Sequence, residues 1–249
     1  AYCNLGVSLA ALGKHDEAIA SYQRALIINP GYAEAHCSLG VALYALGKYD
    51  NAVASYQKAL TINPDYAEAC CNYSAALVAL GKYDEAVASC LKAITINSNY
   101  VEAHCNLGVA LAALGRHDDA AASYQNALTI NPDCAEAHSN LGGALFALGN
   151  YDEAVNKYNT ALVITPNCPE LYSKLGVVLN AVGKHDDAVA NYQKALSLKP
   201  DCAKNYCNLG NALGALEKFD DAVASYQKAL IINPINVEAH CNLGNALGA

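Results

Sequence analysis

Set in rows of 34, the apolar positions of the chain fall into columns. The rows open AYCNLG, AHCSLG, ACCNYS, AHCNLG, AHSNLG, LYSKLG, NYCNLG and AHCNLG, and they superimpose with no insertion or deletion. Each row carries two apolar stripes at helical spacing, for example Leu39 and Leu43 followed by Ala52, Tyr56 and Ala59. Residues three or four apart share one helix face, so each stripe predicts a helix with one buried side. Between the stripes stand Gly13, Gly47, Gly81, Gly115, Gly149 and Gly183, with Glu217 breaking the series. Glycine accepts the left-handed conformation that ends a helix. The second stripe runs out at Pro30, Pro64, Pro132, Pro166, Pro200 and Pro234, with Ser98 the exception, and proline cannot continue a helix. A capping signal follows in Asp65 to Glu68, Asn99 to Glu102, Asp133 to Glu136 and Asn167 to Glu170. There a side-chain oxygen is expected to cap the next helix, with the Glu returning the bond. The unit is therefore helix, tight turn, helix.

Small residues recur where two helix axes must approach. Gly6, Gly40, Gly108, Gly142, Gly176, Gly210 and Gly244 occupy one column of the first helix, and Ala18, Ala52, Ala86, Ala120, Ala154, Ala188 and Ala222 one of the second. Ala25, Ala59, Ala93, Ala127, Ala161, Ala195 and Ala229 do the same against the following hairpin. Leu5, Leu39, Leu107 and Leu141, with Tyr22, Tyr56, Tyr124, Tyr158, Tyr192 and Tyr226, are expected to fill the remaining space as core.

Composition changes this picture little. Hydrophobic residues make up 54% and charged residues 15%, and no apolar run approaches the ~18 residues of a membrane span. The absence of Met and of any leader suggests part of a longer protein. The formal net charge of −8 argues against nucleic acid, whose phosphates select clustered Lys and Arg. Of the 15 Lys and Arg, 11 fall in two columns, as expected of a solvated face.

The candidate chemistry is periodic too. The seven His occupy two columns, His36, His104, His138 and His240 in first helices and His15, His117 and His185 at second-helix starts, where other rows carry Tyr, Cys or Phe. Such columns read as packing sites. Of 11 Cys, six share one column (Cys3, Cys37, Cys71, Cys105, Cys207, Cys241) and three another (Cys134, Cys168, Cys202). Helices in adjacent rows pack ~10 Å apart, beyond the ~7 Å Cα separation a disulfide tolerates. Free thiols in a reducing, intracellular compartment, the cytoplasm, are the expectation. Carboxylates fall at helix starts without pairing, and no metal, cofactor or catalytic constellation is expected.

Leu39, Gly40, Leu43, Gly47, Ala52, Tyr56, Ala59 and Pro64 stand at the offsets of the tetratricopeptide repeat, which the chain resembles over its whole length. The usual Trp is replaced by Tyr2, His36, Cys70, His104, His138, Tyr172, Tyr206 and His240. The resemblance implies an all-α, right-handed superhelical solenoid of helix-turn-helix hairpins. Its seven repeats would be residues 1–34, 35–68, 69–102, 103–136, 137–170, 171–204 and 205–238, plus the first helix of an eighth at 239–249. First helices would form the concave wall, represented in the second row by Cys37, Ser38, Val41, Tyr44 and Ala45.

On that wall the most regular polar feature is a ladder of Asn4, Asn72, Asn106, Asn140, Asn208 and Asn242, interrupted by Ser38 and Lys174. Asn forms helices poorly, whereas its amide can bond both groups of an extended peptide backbone. At ~10 Å per repeat and ~3.3 Å per extended residue, one Asn would meet roughly every third peptide residue. The ladder is similar to that of the tetratricopeptide domain of O-linked N-acetylglucosamine transferases. Solvated or inter-repeat structural amides remain the alternative reading. Tyr44, Phe146, Lys174 and Asn180 break the uniform wall and are the expected source of selectivity. The family's carboxylate clamp is not expected, since its sites hold Cys, Asn, Glu and Val and Glu170 opposes an anion near Lys174.

The reading is a non-enzymatic scaffold that binds a protein or peptide in its groove, without nucleic acid or membrane. The alternatives are the substrate-selecting arm of a larger glycosyltransferase and a self-assembling array. End-to-end association through residues 239–249, burying Leu243 and Leu247, is a further expectation. Triple replacement of Asn72, Asn106 and Asn140 by Ala should slightly raise helix stability.

Overall fold

The computed structural model describes residues 1–248. Among them every regular element is an α-helix, and the chain divides into two compact units, Ala1–Pro132 and Asp133–Ala249. The first unit holds α1 (Tyr2–Ala11), α2 (His15–Ile28), α3 (Ala33–Ala45), α4 (Tyr49–Ile62), α5 (Ala67–Ala79), α6 (Tyr83–Ile96), α7 (Val101–Ala113) and α8 (His117–Ile130). The second holds α9 (Ala135–Ala147), α10 (Tyr151–Ile164), α11 (Pro169–Ala181), α12 (His185–Leu198), α13 (Ala203–Ala215), α14 (Phe219–Ile232) and α15 (Val237–Leu247). Within each unit the odd-numbered helix pairs antiparallel with the even one that follows, and each pair stacks on the next. Among the described residues no helix is long and apolar enough to cross a membrane.

The turn inside each hairpin has one form. Gly47 adopts φ +70°, its N–H donates to the Tyr44 carbonyl at 2.9 Å, and the Lys48 N–H reaches the Leu43 carbonyl at 2.9 Å. These two bonds define a Schellman C-cap, which satisfies carbonyls the helix leaves open. Glu217 stands in the glycine position at φ 59° and keeps both bonds, 3.0 Å to the Gly214 carbonyl and 3.0 Å from Lys218 to the Leu213 carbonyl. A left-handed non-glycine residue is strained by about 1–2 kcal/mol.

The expected capping boxes are not formed. The N-cap residues of α5, α7, α9 and α11 are Tyr66, Tyr100, Cys134 and Cys168, in extended backbone and without a side-chain cap bond. The residues expected as caps stand one position too early. Asn29, Asn63 and Asn97 instead organise the turn before the helix: their Oδ1 atoms accept from the backbone N–H of Gly31, Asp65 and Asn99 at 3.2, 3.2 and 3.1 Å. Only α15 has a side-chain cap among the described helices, with Asn236 Oδ1 accepting from Ala239 N–H at 3.1 Å.

Six of the seven hairpins among the described residues close on a glycine and a tyrosine 16 residues apart. A Cβ added to Gly40 would lie 2.5 Å from the Tyr56 ring, and one on Gly108, Gly176 or Gly210 would lie 2.5–2.7 Å from Tyr124, Tyr192 or Tyr226. Gly6 meets Tyr22 in the same way, and Gly142 meets Tyr158 at 3.1 Å. Tyr56 and Tyr192 are 1% exposed, and the helix-facing alanines, such as Ala52, Ala86 and Ala188, are fully buried. Leu39, Leu107 and Leu141 are buried as expected, whereas Leu5 in α1 is 49% exposed.

The third hairpin departs at both members of the pair. Ser74 and Cys90 stand where the others have glycine and tyrosine, and both are fully buried. The serine side chain occupies only part of the space that a tyrosine ring fills in the other hairpins, and the Ser74 hydroxyl is satisfied by the Cys71 carbonyl at 2.6 Å. Gly40→Ser alone should cost about 1–3 kcal/mol by driving its side chain into the Tyr56 ring, and Tyr56→Cys alone about 3–5 kcal/mol by opening a cavity, whereas the double should cost less than the sum of the two because serine then enters space the ring has left; denaturant midpoints of the singles and the double measure the coupling. Glu217→Gly should raise stability by about 1 kcal/mol through release of the strained φ, read as an upward shift of the same midpoint.

Candidate functional site

The exposed face of the odd-numbered helices is built from positions three, four and seven residues apart. In α3 these are half-buried Ser38 and exposed Val41, Tyr44 and Ala45, while Cys37, expected on this wall, is 1% exposed and lies beneath it. In the first unit Asn72 and Asn106 are half-buried and Asn4 is exposed; in the second, Asn140, Asn208 and Asn242 are half-buried.

Three of the ladder amides, Asn72, Asn106 and Asn242, reach back to the hairpin before them. Asn106 Nδ2 donates to the Cys71 carbonyl at 3.3 Å, and lies 3.4 Å from both Cys71 Sγ and Ser74 Oγ. Asn72 Nδ2 lies 3.9 Å from Cys37 Sγ, a weak contact of the same register. Lys174, at the ladder position of α11, donates to Ser139 Oγ at 2.9 Å. Asn242 Nδ2 donates to Asn211 Oδ1 at 2.8 Å, and that oxygen also accepts from the Tyr226 hydroxyl at 2.8 Å. The ladder thus has an inter-repeat role, and the Asn106 bonds oppose the stability gain expected from its removal. Asn208 is different: its Nδ2 is buried with no partner, and the residue facing it in this register, Ser173, turns its hydroxyl to Asn205 Oδ1.

Three of the four residues expected to give selectivity share a second feature. Tyr44 packs on Tyr49 with ring centroids 5.2 Å apart, and Phe146 on Tyr151 at 5.6 Å. Asn180 Oδ1 lies 2.8 Å from His185 Nδ1, so that nitrogen carries the proton and donates. Each is pinned to the residue that opens the next helix. Where this position holds Ala10 or Ala112, the ring nitrogens His15 Nδ1 and His117 Nδ1 are buried without a partner.

The other histidine column is more than a packing site. His36, His104 and His240 direct Nε2 at the carbonyls of Pro30, Ser98 and Pro234 at 3.0, 3.1 and 3.0 Å. The Tyr172 hydroxyl donates to the Pro166 carbonyl at 3.1 Å. His and Tyr interchange here because each carries a donor to the carbonyl six residues earlier, a shared property that alignment of the rows leaves hidden.

Burial pushes the thiols of Cys37, Cys90 and Cys207 up to about 11 and that of Cys71 up to about 12. A thiol so placed is a neutral packing group at neutral pH and a poor nucleophile. Burial likewise raises the Tyr158 and Tyr226 hydroxyls to about 12. No group of three metal-ligating side chains occurs among the described residues.

Stacked helical hairpins with a lined face on one set of helices define a repeat protein of the interaction class. The profile of the tetratricopeptide repeat matches residues 3–67 and 105–170, more than half of the chain, and a second profile of the same repeat matches 75–115, 178–217 and 211–249. The chain belongs to the tetratricopeptide repeat family. Members of this family are protein-interaction scaffolds, and this chain is one in that general sense.

The solved structures agree on the fold. The APC/C hetero-tetramer Cut9-Hcn1 matches with a TM-score of 0.83 and 18% identity over 97% of this chain; the chain spans 48% of that one's length. A tetratricopeptide repeat protein from Parabacteroides merdae matches with a TM-score of 0.74 and 20% identity over 99% of this chain and 97% of that one. A thermophilic TPR protein from Thermus thermophilus matches with a TM-score of 0.63 and 28% identity, covering 73% of this chain and 99% of that one. No curated protein matches the chain in sequence.

The raised thiol and phenol values set the sign of a pH dependence. Because folding holds these groups neutral above their ordinary values of 9.0 and 10.0, their contribution is complete below about pH 9 and is lost as pH rises through the folded values. Stability should fall steadily from about pH 9 to about pH 12, read as a dropping denaturant midpoint with thiolate absorbance appearing only on unfolding.

Proposed function

We propose that in each unit the exposed face of the odd-numbered helices is a groove that holds an extended segment of a partner protein through its row of amides. The observation that carries this reading is the way Asn106 is held. Its Nδ2 is tied to the preceding hairpin, which fixes the amide plane and leaves Oδ1 as an acceptor for a backbone N–H. A preorganised polar group loses little entropy when it binds. The inter-repeat bond and peptide binding are then two uses of one amide, and the stacking of the hairpins sets the ladder.

Asn4, Asn72, Asn106, Asn140, Asn208 and Asn242 would supply grip that is indifferent to ligand sequence. Tyr44, Phe146, Lys174 and Asn180, three of them anchored to the next helix, would supply choice. Such a groove serves equally in a free scaffold and in the substrate-selecting arm of a larger glycosyltransferase.

A ligand selected from a random peptide display library should bind Asn72→Ala/Asn106→Ala/Asn140→Ala more weakly by roughly one to three orders of magnitude, since three bonds of about 0.5–1.5 kcal/mol are lost. Melting temperature should move little, because the lost inter-repeat bonds and the better helix propensity of alanine are similar in size and opposite in sign. Unchanged affinity, measured by titration calorimetry, would assign the ladder to inter-repeat structure alone.

A further inference from the structure

In an array built by repetition, the residues that depart from their columns record what one place needs and the others do not. Eleven of the 15 basic residues lie in two columns; the other four are Lys157, Lys174, Lys199 and Lys204. Three of these four line a single cavity of about 310 Å³ in the second unit. Lys174 replaces a ladder Asn, and Lys199 stands where most rows have the turn-forming Asn. Lys204 stands where every other odd-numbered helix from α3 onward carries Glu in its first turn. A fourth departure faces the same space: Asn205, 4% exposed, occupies a column of small or apolar residues.

The polar groups of the cavity are oriented and only partly spent. Lys174 Nζ uses one donor on Ser139 Oγ at 2.9 Å. Lys199 Nζ lies 3.4 Å from Glu170, the one carboxylate lining the cavity, with Glu136 in the neighbouring depression that Lys174 also borders. Lys204 makes no ion pair among the described residues. The Ser173 hydroxyl engages Asn205 Oδ1, which leaves the Asn205 Nδ2 to donate. Three ammonium groups against one carboxylate leave two positive charges in excess, on a chain whose net charge is −8. The arrangement has a cost in the fold: with Ser173 drawn to Asn205, the buried Asn208 Nδ2 is left unsatisfied, a loss that calls for a compensating use.

We infer that this cavity binds the phosphate of a phosphorylated side chain carried by the partner segment. A phosphate monoester carries about −1.5 to −2 charges at neutral pH and three strong acceptor oxygens, which matches the excess charge and the converging donors. A carboxylate offers one charge and two oxygens, which would leave part of the excess charge unmet, whereas Lys binds phosphate well as a point charge without the planar fork of Arg. The first turn of α13, with Lys204 in place of an acid, adds backbone N–H groups at the positive end of a helix. What carries the phosphate rests on the groove reading above; the affinity of the cavity for the anion does not.

The test uses the full chain and two probes. Inorganic phosphate should shift the side-chain amide resonance of Asn205 saturably, more tightly as phosphate gains its second charge near pH 6. Lys174→Ala/Lys199→Ala/Lys204→Ala should lose this, while Lys157→Ala and Lys228→Ala should not. In degenerate peptide libraries, a fixed phosphoserine should improve binding by roughly tenfold or more over serine, and the triple variant should abolish the preference with its helical circular dichroism retained. Equal loss in the control variants, or no saturable response to phosphate, overturns the inference. Equal binding of the two libraries overturns it and leaves the groove standing. Phosphate binding with neither library bound removes the groove reading and keeps the anion cavity. Displacement of the phosphopeptide by a short oligonucleotide at lower concentration transfers the cavity to a nucleic-acid backbone and likewise overturns the assignment.

Discussion

Everything in the hairpin follows from one close contact, the face of a tyrosine ring lying on a glycine 16 residues earlier. The contact sets the distance between two helix axes, because at 2.5 Å there is no room for a Cβ on Gly40 beside Tyr56. It also puts a whole aromatic side chain out of water, a gain on the order of 1.5–3 kcal/mol per hairpin. With the axes fixed, fully buried alanines such as Ala52 and Ala59 are the only side chains that fit at the other crossings. In a stacked array stability is close to a sum of hairpin terms and neighbour terms, so damage at one such contact is felt by that hairpin and the ones beside it.

The third hairpin shows that geometry, rather than residue identity, is what must be kept. Ser74 and Cys90 are fully buried at the same two places although together they are smaller than glycine and tyrosine, and the new hydroxyl brings a hydrogen-bond obligation that the Cys71 carbonyl meets. The same hydroxyl and carbonyl are also reached by Asn106 from the next hairpin. A substitution made inside one hairpin has thereby become part of the junction with its neighbour. This is why the ladder amides cannot be sorted into structural and binding groups by position alone.

The helices, their hinges at Gly13 to Gly183 and the small residues at the crossings were legible from period and spacing, because each is a local requirement written many times. The capping boxes were misread for a related reason. An Asp or Asn followed by Glu at the right interval is a local signal, yet the turn made by Asn63 with the Asp65 N–H leaves Tyr66 as the first capping residue. Only the conformation of the turn decides between the two registers. The histidine column was legible as a column but not as a donor site, since its acceptor is a backbone carbonyl and leaves no trace in residue types. Likewise the wall residues Tyr44, Phe146 and Asn180 could be found as exceptions, while their tethers at Tyr49, Tyr151 and His185 needed side-chain positions.

Net charge proved to be the least informative of the bulk properties. A value of −8 describes the far field and the class of polyanion the chain will not attract at a distance. It says nothing of a cavity where three lysines stand against one carboxylate, because beyond about 8–10 Å that local excess is screened at physiological salt. The signal that locates such a place is departure from the column: Lys174, Lys199, Lys204 and Asn205 are scattered along 32 residues of sequence, and each is unremarkable by itself. Repetition turns them into information, since a column that holds Asn or Glu nearly everywhere shows what stacking needs, and its exception shows that something other than stacking was selected there. Periodic residues therefore account for the fold, and the aperiodic ones that meet in space are where recognition has to be sought.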